Sequence, residues 1–460
     1  MLTQADNEIV NHVGPGTLMG NLLRRYWTPA LLSEELPAPD CNPVRVRLLG
    51  EDLVAFRDTE GRTGLVDVNC PHRGTSMFFG RNEENGLRCV YHGWKFDVTG
   101  QCVDMPSEPP FSIFKSKLQI PAYPCHESGG IVWTYMGPKE TMTGFRDFGT
   151  ENLPREKWRA SKRFQPMTFM QLMEGGYDTT HPSWLHMFGG ARDIDAGADG
   201  SDEPGAYNSS RALWKFWWHD RAPKVETVEA WHGMRGVGLR TTPNGNTHAR
   251  LYHFCFPYGG WNVPIDDNET WSFSFNTVHS APQRELHVGG GREATGSPRR
   301  GYVSGLNIPE SPYFEYGVER TFQNDYQIDR EAQRNGTIYS GIGAGIEDPR
   351  SVGGGRSGFN DQDVMARQTS FTDRTKEHLG TLDRKIILIR RLLINASKNL
   401  ARGIEPPAID PSLPYDRIEA PDQVLTPGQD WTTLGTELDP NYHRIFAGVA
   451  PIAASPPAAT

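Results

Sequence analysis

Cys70-Pro-His72-Arg-Gly74 and Cys89-Val-Tyr-His92-Gly-Trp94 are the two stretches on which the reading of this chain turns. Each places one thiol and one imidazole within a single tight turn, with a glycine close behind. Gly80 and Gly86 lie between them, so the two turns can sit at hairpin tips and close on one inorganic group from both sides. A 2Fe-2S cluster of mixed ligation needs this set, with two thiolates on one iron and two imidazoles on the other, and has a higher reduction potential than an all-cysteine cluster. A tetrahedral zinc site uses the same residue types. Zinc fingers, however, pair Cys with Cys and His with His along the chain, whereas each turn here supplies one of each, which favours the cluster. Cys41, Cys102, Cys125 and Cys255 have no such company and read as buried apolar thiols.

Around this motif the sequence alternates. Val44-Arg-Val-Arg-Leu48 and Leu53-Val-Ala-Phe56, then Asp58-Thr-Glu-Gly61 as a turn into Leu65-Val-Asp-Val68, predict antiparallel hairpins that continue to about Tyr135. Before them, Thr3 and Asp6 cap a short helix that Gly14-Pro15 stops. A second, mixed domain begins near residue 160, with a helical stretch around Met170 to Trp184 and strands around Leu213 to Trp218 and Trp271 to Phe275. Glycines between Tyr339 and Phe359 predict a mobile surface loop. Thr381 and Asp383 then open a helix through Ile386, Ile389, Leu393 and Ala396, ended by Gly403. The expected division is an N-terminal helical segment 1–24, a cluster domain 25–150, a second domain 151–403 and a Pro/Ala-rich tail 404–460, in an α+β fold dominated by antiparallel sheet.

Composition sets limits on function. A chain of 460 residues suggests two or three domains, each with a real core. With 49 Gly and 35 Pro, it is richer in turns and strands than a helical bundle. A net charge of -9 argues against nucleic acid as a partner. The N-terminus lacks a signal peptide, and no run approaches the roughly 18 apolar residues of a membrane span, so a cytoplasmic protein with no membrane partner is expected.

A second constellation lies at Glu174-Gly-Gly-Tyr177-Asp178-Thr-Thr-His181-Pro182-Ser-Trp-Leu-His186. Asp178 and His181, three apart, share a helix face on which the carboxylate can hold an imidazole N–H. Pro182 breaks the helix and lets His186 turn back toward the same point. Two histidines plus one carboxylate from elsewhere make the facial triad of non-haem iron, with open positions for dioxygen. Alone, the pair reads equally well as two structural histidines; beside a cluster motif it reads as a metal pair.

Together with Val13-Gly-Pro-Gly-Thr17, Arg24-Arg-Tyr-Trp27 and Asp373-Arg-Thr-Lys-Glu377-His378-Leu379, these motifs resemble the Rieske non-haem iron ring-hydroxylating oxygenases, and within them the phthalate dioxygenase-like family. The resemblance covers nearly the whole chain. It implies an antiparallel-β Rieske domain with Cys70, His72, Cys89 and His92 on the 2Fe-2S cluster, followed by a helix-grip catalytic domain with Fe(II) on His181 and His186. It also implies that Asp178 links the cluster of one subunit, through the histidine matching His92, to the iron of its neighbour, hence a homotrimer or homohexamer. The family's third ligand falls within Asn360-Asp361-Gln-Asp363-Val364, where register places it at Asp361 with Asp363 as the rival. Asp325 and Asp329 are further acidic candidates, read in preference as salt-bridge residues. Asn360 and Gln368-Thr-Ser370 depart from the Gln and the Met-Gly-Pro run that family members often carry there. Finally, the resemblance implies NADH as electron source through a separate flavin and iron-sulfur reductase, O2 as co-substrate, and an aromatic substrate.

No nicotinamide site is read in the chain itself, because Gly341-Ile-Gly-Ala-Gly345 lacks the third glycine of the dinucleotide fingerprint in register. Arg211, Arg240 and Arg250 are candidates for gripping a carboxylated substrate. Trp214, Phe216, Trp217 and Trp218 read as an aromatic core stripe or a pocket wall. The expected activity is hydroxylation of a carboxylated aromatic compound. An oxidative O-demethylase of a methoxylated aromatic acid is the alternative, and a non-catalytic Rieske electron carrier leaves the second domain unexplained.

Overall fold

The computed structural model describes residues 1–146, 149, 158–165, 167–185, 201–206, 213–277, 330–334, 373–415, 418 and 420–435. Two short helices open the chain, α1 (Gln4–Asn11) and α2 (Leu18–Leu23), and Thr3 caps α1 by accepting from the Asp6 backbone N–H at 3.1 Å. Arg24, at the end of α2, is buried and donates to the carbonyls of Val13, Gly20 and Leu49 and to the Glu51 carboxylate. It ties the opening segment to the first sheets.

Eleven strands follow: β1 (Trp27–Leu32), β2 (Val44–Leu48), β3 (Glu51–Arg57), β4 (Thr63–Asp67), β5 (Arg81–Glu83), β6 (Gly86–Arg88), β7 (Lys95–Phe96), β8 (Cys102–Asp104), β9 (Ala122–Tyr123), β10 (Cys125–Ser128) and β11 (Ile131–Tyr135). They form three antiparallel sheets in the orders β1-β11-β10, β2-β3-β4-β9 and β5-β6-β7-β8. Glu84 and Asn85, both at positive φ, make the two-residue turn of the β5–β6 hairpin, whose twist matches its strands. A core of Val54, Phe56, Val66, Leu87, Trp94 and Phe96 joins the second sheet to the third, and Cys70 and Cys89 belong to it.

The second half contains β12 (Trp158–Gln165), α3 (Phe169–Tyr177), α4 (Leu213–His219), β13 (Lys224–Ala230), β14 (Gly233–Thr241), β15 (Thr247–Cys255), β16 (Asn262–Pro264), β17 (Thr270–Thr277), α5 (Arg384–Leu400) and β18 (Asp422–Val424). Its main antiparallel sheet runs β13-β14-β15-β18, with β12-β17-β16 beside it. Register fixes which residues share a face: Gly236 is opposite Tyr252, Gly238 opposite Arg250, Arg240 opposite His248, and Arg250 opposite Asp422. On this inner face two glycines leave hollows. A β-carbon at Gly236 would come within 2.7 Å of Lys385 Cδ from α5, and one at Gly238 within 2.6 Å of Thr179 Oγ1. The outer face, with Val237, Ala249 and Leu251, is covered by Trp431 and Leu434.

Three expectations require correction. Leu213 to Trp218 is helix, not strand: Phe216 and Trp217 are buried side by side, against strand alternation, so packing overrides the β preference of aromatic residues. The helical stretch expected to reach Trp184 ends at Tyr177, where Gly175-Gly176 weaken it and Asp178 caps it in extended conformation. Residues 421–435 are not tail, because β18 pairs with β15 and Trp431 is buried, apolar seats that the Pro/Ala-rich end of the chain obscured. The Gly-rich stretch from Tyr339 to Phe359 lies outside the described residues.

The helix α3 is pinned by a buried ion network. Glu174 receives Arg390 Nε at 2.6 Å and faces Arg374 Nε at 3.5 Å, while Arg390 also binds Glu377. Burial opposes the Glu174 charge, but the two arginines outweigh it and hold the carboxyl below its ordinary value. Replacing it by Glu174→Gln is expected to lower the unfolding free energy in urea by about 3–5 kcal/mol, because buried cations lose their partner. A loss below about 1 kcal/mol, the worth of a surface pair, would show that Glu377 alone satisfies Arg390.

Candidate metal centres

Two loops of one design carry the candidate cluster ligands Cys70, His72, Cys89 and His92. In the first, Gly74 N–H donates to the Cys70 carbonyl and Cys70 N–H to that of Thr75, both at 2.9 Å; in the second, Gly93 donates to Cys89 at 3.1 Å and Cys89 to Trp94 at 2.8 Å. Gly74 and Gly93 hold φ of +74° and +78°, a left-handed conformation that other residues adopt only with strain. The loops sort their ligands by kind. Cys70 and Cys89 lie next to each other in the core, each 2% exposed, while the His72 and His92 rings meet at 4.4 Å on the half-exposed side.

This arrangement fits a 2Fe-2S cluster, which asks two protein ligands of each iron. A tetrahedral zinc ion would draw all four side chains to one point, whereas here the thiols pair in the core and the imidazoles pair at the surface, which favours the cluster. His72 Nδ1 is buried without a hydrogen-bond partner among the described residues, as expected of a nitrogen reserved for a non-protein group. Trp94 stacks on His72 at 4.2 Å and donates its indole N–H to Ser107 at 3.0 Å, which fixes the imidazole plane. Burial pushes the Cys70 thiol up to about 11, so binding iron must displace its proton. Partial desolvation, then His72 and Arg73, hold His92 below its ordinary value and favour the neutral imidazole that a ligand must be.

The second centre starts where α3 stops. Thr180 N–H donates to Asp178 Oδ1 at 2.7 Å, folding the chain so that His181 Nδ1 lies 3.4 Å from Asp178 Oδ2. His181 then opens a 3-10 turn to Ser183, with Pro182 in its first positions. A carboxylate on one imidazole nitrogen sets the tautomer and turns the other nitrogen toward a metal. Burial works against the Asp178 charge, but His181 and the N–H groups of Thr180 and His181 prevail and keep the carboxyl below its ordinary value. His186, Asp361, Asp363, Arg211, Asp325 and Asp329 lie outside the described residues, so His181 is the candidate iron ligand whose surroundings the structure gives.

The other arginine candidates separate. Arg240 is fully buried and braces the iron loop, donating to the Thr179 carbonyl, to Thr179 Oγ1 at 3.1 Å and to the Asp220 carbonyl at 3.1 Å. Arg250 lies 3.9 Å from Asp422 and over the rings of Trp217 and Tyr252. Phe216 stacks on His248 at 4.4 Å, so α4 forms an aromatic wall beside this face; the Trp214 side chain is outside the description. Three inner-face residues escaped the sequence reading. Asp422, raised to about 6 by burial, comes from the supposed tail; His248 is lowered to about 3 by burial; and Lys385 looks like any surface lysine at a helix start. The glycines at 236 and 238 were the available signal.

Comparisons with known proteins bear on the same two halves. The Rieske [2Fe-2S] domain family matches residues 26–124, and the family described as LigXa C-terminal domain like matches residues 134–445. The chain is 33% identical to the 3-chlorobenzoate-3,4-dioxygenase oxygenase subunit of Comamonas testosteroni, covering 94% of this chain and 98% of that one. It is 34% identical to the phthalate 4,5-dioxygenase oxygenase subunit of Pseudomonas putida, covering 86% of each. It is 30% identical to the 5,5'-dehydrodivanillate O-demethylase oxygenase subunit of a Sphingobium species, covering 90% and 85%. The chain belongs to the Rieske non-haem iron oxygenases, as the oxygenase subunit of a multicomponent enzyme. The electron-carrier alternative falls, since the C-terminal match spans the whole catalytic half. No helix among the described residues is long and apolar enough to cross a membrane.

Mixed ligation should set the potential of the cluster. Converting both imidazoles to thiolates, His72→Cys with His92→Cys, is expected to lower it to the region of about -400 mV typical of all-cysteine clusters, read in a redox titration followed by EPR. An unchanged potential would mean that these histidines are not ligands.

Proposed function

We propose that this protein is the terminal oxygenase acting on a carboxylated aromatic compound, with electrons drawn from NADH through a separate flavin and iron-sulfur reductase and O2 as co-substrate. The observation that carries the reading is the cationic, aromatic-walled inner face of the catalytic sheet, with Arg250, Lys385, Trp217 and Tyr252 beside the His181 turn. Relatives named for 3-chlorobenzoate and phthalate support an acid substrate. His181, with His186 and Asp361 of the sequence motif, would hold Fe(II), which supplies dioxygen activation. The protein's own groups orient that centre. Asp178 fixes the His181 imidazole, while Tyr252, donating to Thr179 Oγ1 at 3.1 Å, and Arg240 hold the loop against the sheet.

Asp178 also serves, in this reading, as the bridge to His92 of a neighbouring subunit in a homotrimer or homohexamer. Exposed Val90, Tyr91, Phe111, Ile113 and Phe114 support it: they surround or adjoin the half-exposed imidazoles, and apolar surface of this kind marks an interface. The domain division in this reading is a helical segment 1–24, a cluster domain 25–150 and a catalytic domain from 151, to which the pairing of β18 with β15 joins residues up to 435. An O-demethylase reading is favoured by one observation, the O-demethylase among the relatives.

Two variants and a substrate panel test this. His181→Ala is expected to lose all iron beyond the cluster and all oxygenation, while the visible spectrum of the cluster persists; retained turnover would overturn the assignment. Asp178→Asn is expected to keep both metal contents while turnover falls roughly 10- to 100-fold, the usual penalty for removing a partner of a metal ligand. Reaction with reductase, NADH and aromatic acids, scored for diol against formaldehyde, separates hydroxylation from demethylation.

A further inference from the structure

Positive charge on the inner face of the catalytic sheet exceeds the acceptors that meet it. Lys385, in the first turn of α5, is 1% exposed, and its stem fills the hollow at Gly236. Its Nζ stands 3.4 Å from the centre of the Tyr252 ring, and the Arg250 guanidinium carbon lies 5.5 Å from the same centre. Lys385 Nζ and Arg250 Nη1 are both buried without a hydrogen-bond partner among the described residues. The nearby carboxylates leave this unanswered. Asp422 approaches Arg250 only to 3.9 Å, and Asp178 is turned to His181. Both groups lie near one ring in a largely desolvated space, and burial, against the pull of Asp178 and helped by Arg250 and Arg240, drives the Lys385 ammonium well below its ordinary value; a bound anion would restore that charge and give both nitrogens an acceptor.

We infer that Lys385 determines substrate specificity, forming with Arg250 a receptor for the carboxylate of an aromatic substrate whose ring lies between Trp217 and the His181 turn. This rests on the reading of the protein as an aromatic-acid oxygenase. The carboxylate takes the guanidinium as a fork and the ammonium as a point charge, with the Tyr252 ring against both.

Equilibrium binding to the anaerobic holoenzyme, followed by tryptophan fluorescence, tests the receptor with benzoate, phthalate, benzamide as a neutral isostere, and acetate as a ring-free anion. Wild-type protein is expected to prefer benzoate or phthalate to benzamide and acetate. Lys385→Met keeps the stem over Gly236 and is expected to weaken carboxylate binding about 10- to 100-fold, the worth of one charged hydrogen bond, with benzamide unchanged. Lys385→Arg should retain part of the preference. Carboxylate binding equal to wild type in Lys385→Met overturns the inference, and so does a wild type that binds benzamide as tightly as benzoate. Oxygen uptake with reductase and NADH scores the underlying reading separately: uptake with acids alongside unaltered Lys385→Met binding sinks the role of Lys385 alone, whereas uptake confined to neutral aromatics sinks both.

Discussion

Glu174 is a carboxylate buried in the middle of α3 and held by arginines that arrive from far along the chain. Such a charge is stable only while both cations are in place, and so it fixes three elements at once. Arg390 belongs to α5. Arg374 in turn hands its backbone N–H to Asn7 and its guanidinium to Asn11, both of α1. The end of α3, where Asp178 and His181 stand, is therefore located by a contact whose members are spread over most of the sequence.

The two centres are made in different ways. The cluster loops are self-contained, each closed by its own backbone hydrogen bonds and a left-handed glycine, and they need little from the rest of the chain. The candidate iron loop also has local bonds, Thr180 N–H to Asp178 and Leu185 N–H to the His181 carbonyl, but no left-handed glycine, and it leans on the sheet as well. It rests on β14, where the absence of a side chain at Gly238 admits Thr179, and Arg240 and Tyr252 hold it down. The sheet thus positions a loop whose turn is formed locally.

That contrast explains what the sequence discloses. Cys70, His72, Cys89 and His92 are legible because their geometry is local, β2 because its alternation follows one buried face, and β3 and β4 as short apolar runs that are buried on both faces. The Asp178–His181 pairing is legible as spacing, although the helix thought to produce it stops short and an extended cap and a 3-10 turn do the work instead. Lys385, Asp422 and the helical state of Leu213–His219 are illegible because each depends on a distant partner: Gly236, Arg250 and the inner face of the sheet. No local pattern distinguishes a lysine that crosses a sheet from one that points to water.

The late arrival of β18 has a consequence for how the chain is built. The ligand loops and their core lie within one contiguous stretch of the N-terminal half, so that domain can close early during synthesis. The sheet beneath the iron loop cannot, since its fourth strand comes from residues 422–424 and pairs with 248–250. Pairings separated so widely close slowly, after a costly loop. Electron-relay and oxygen-activating halves therefore mature at different times, and a ribosome must finish nearly the whole chain before the second half has a floor.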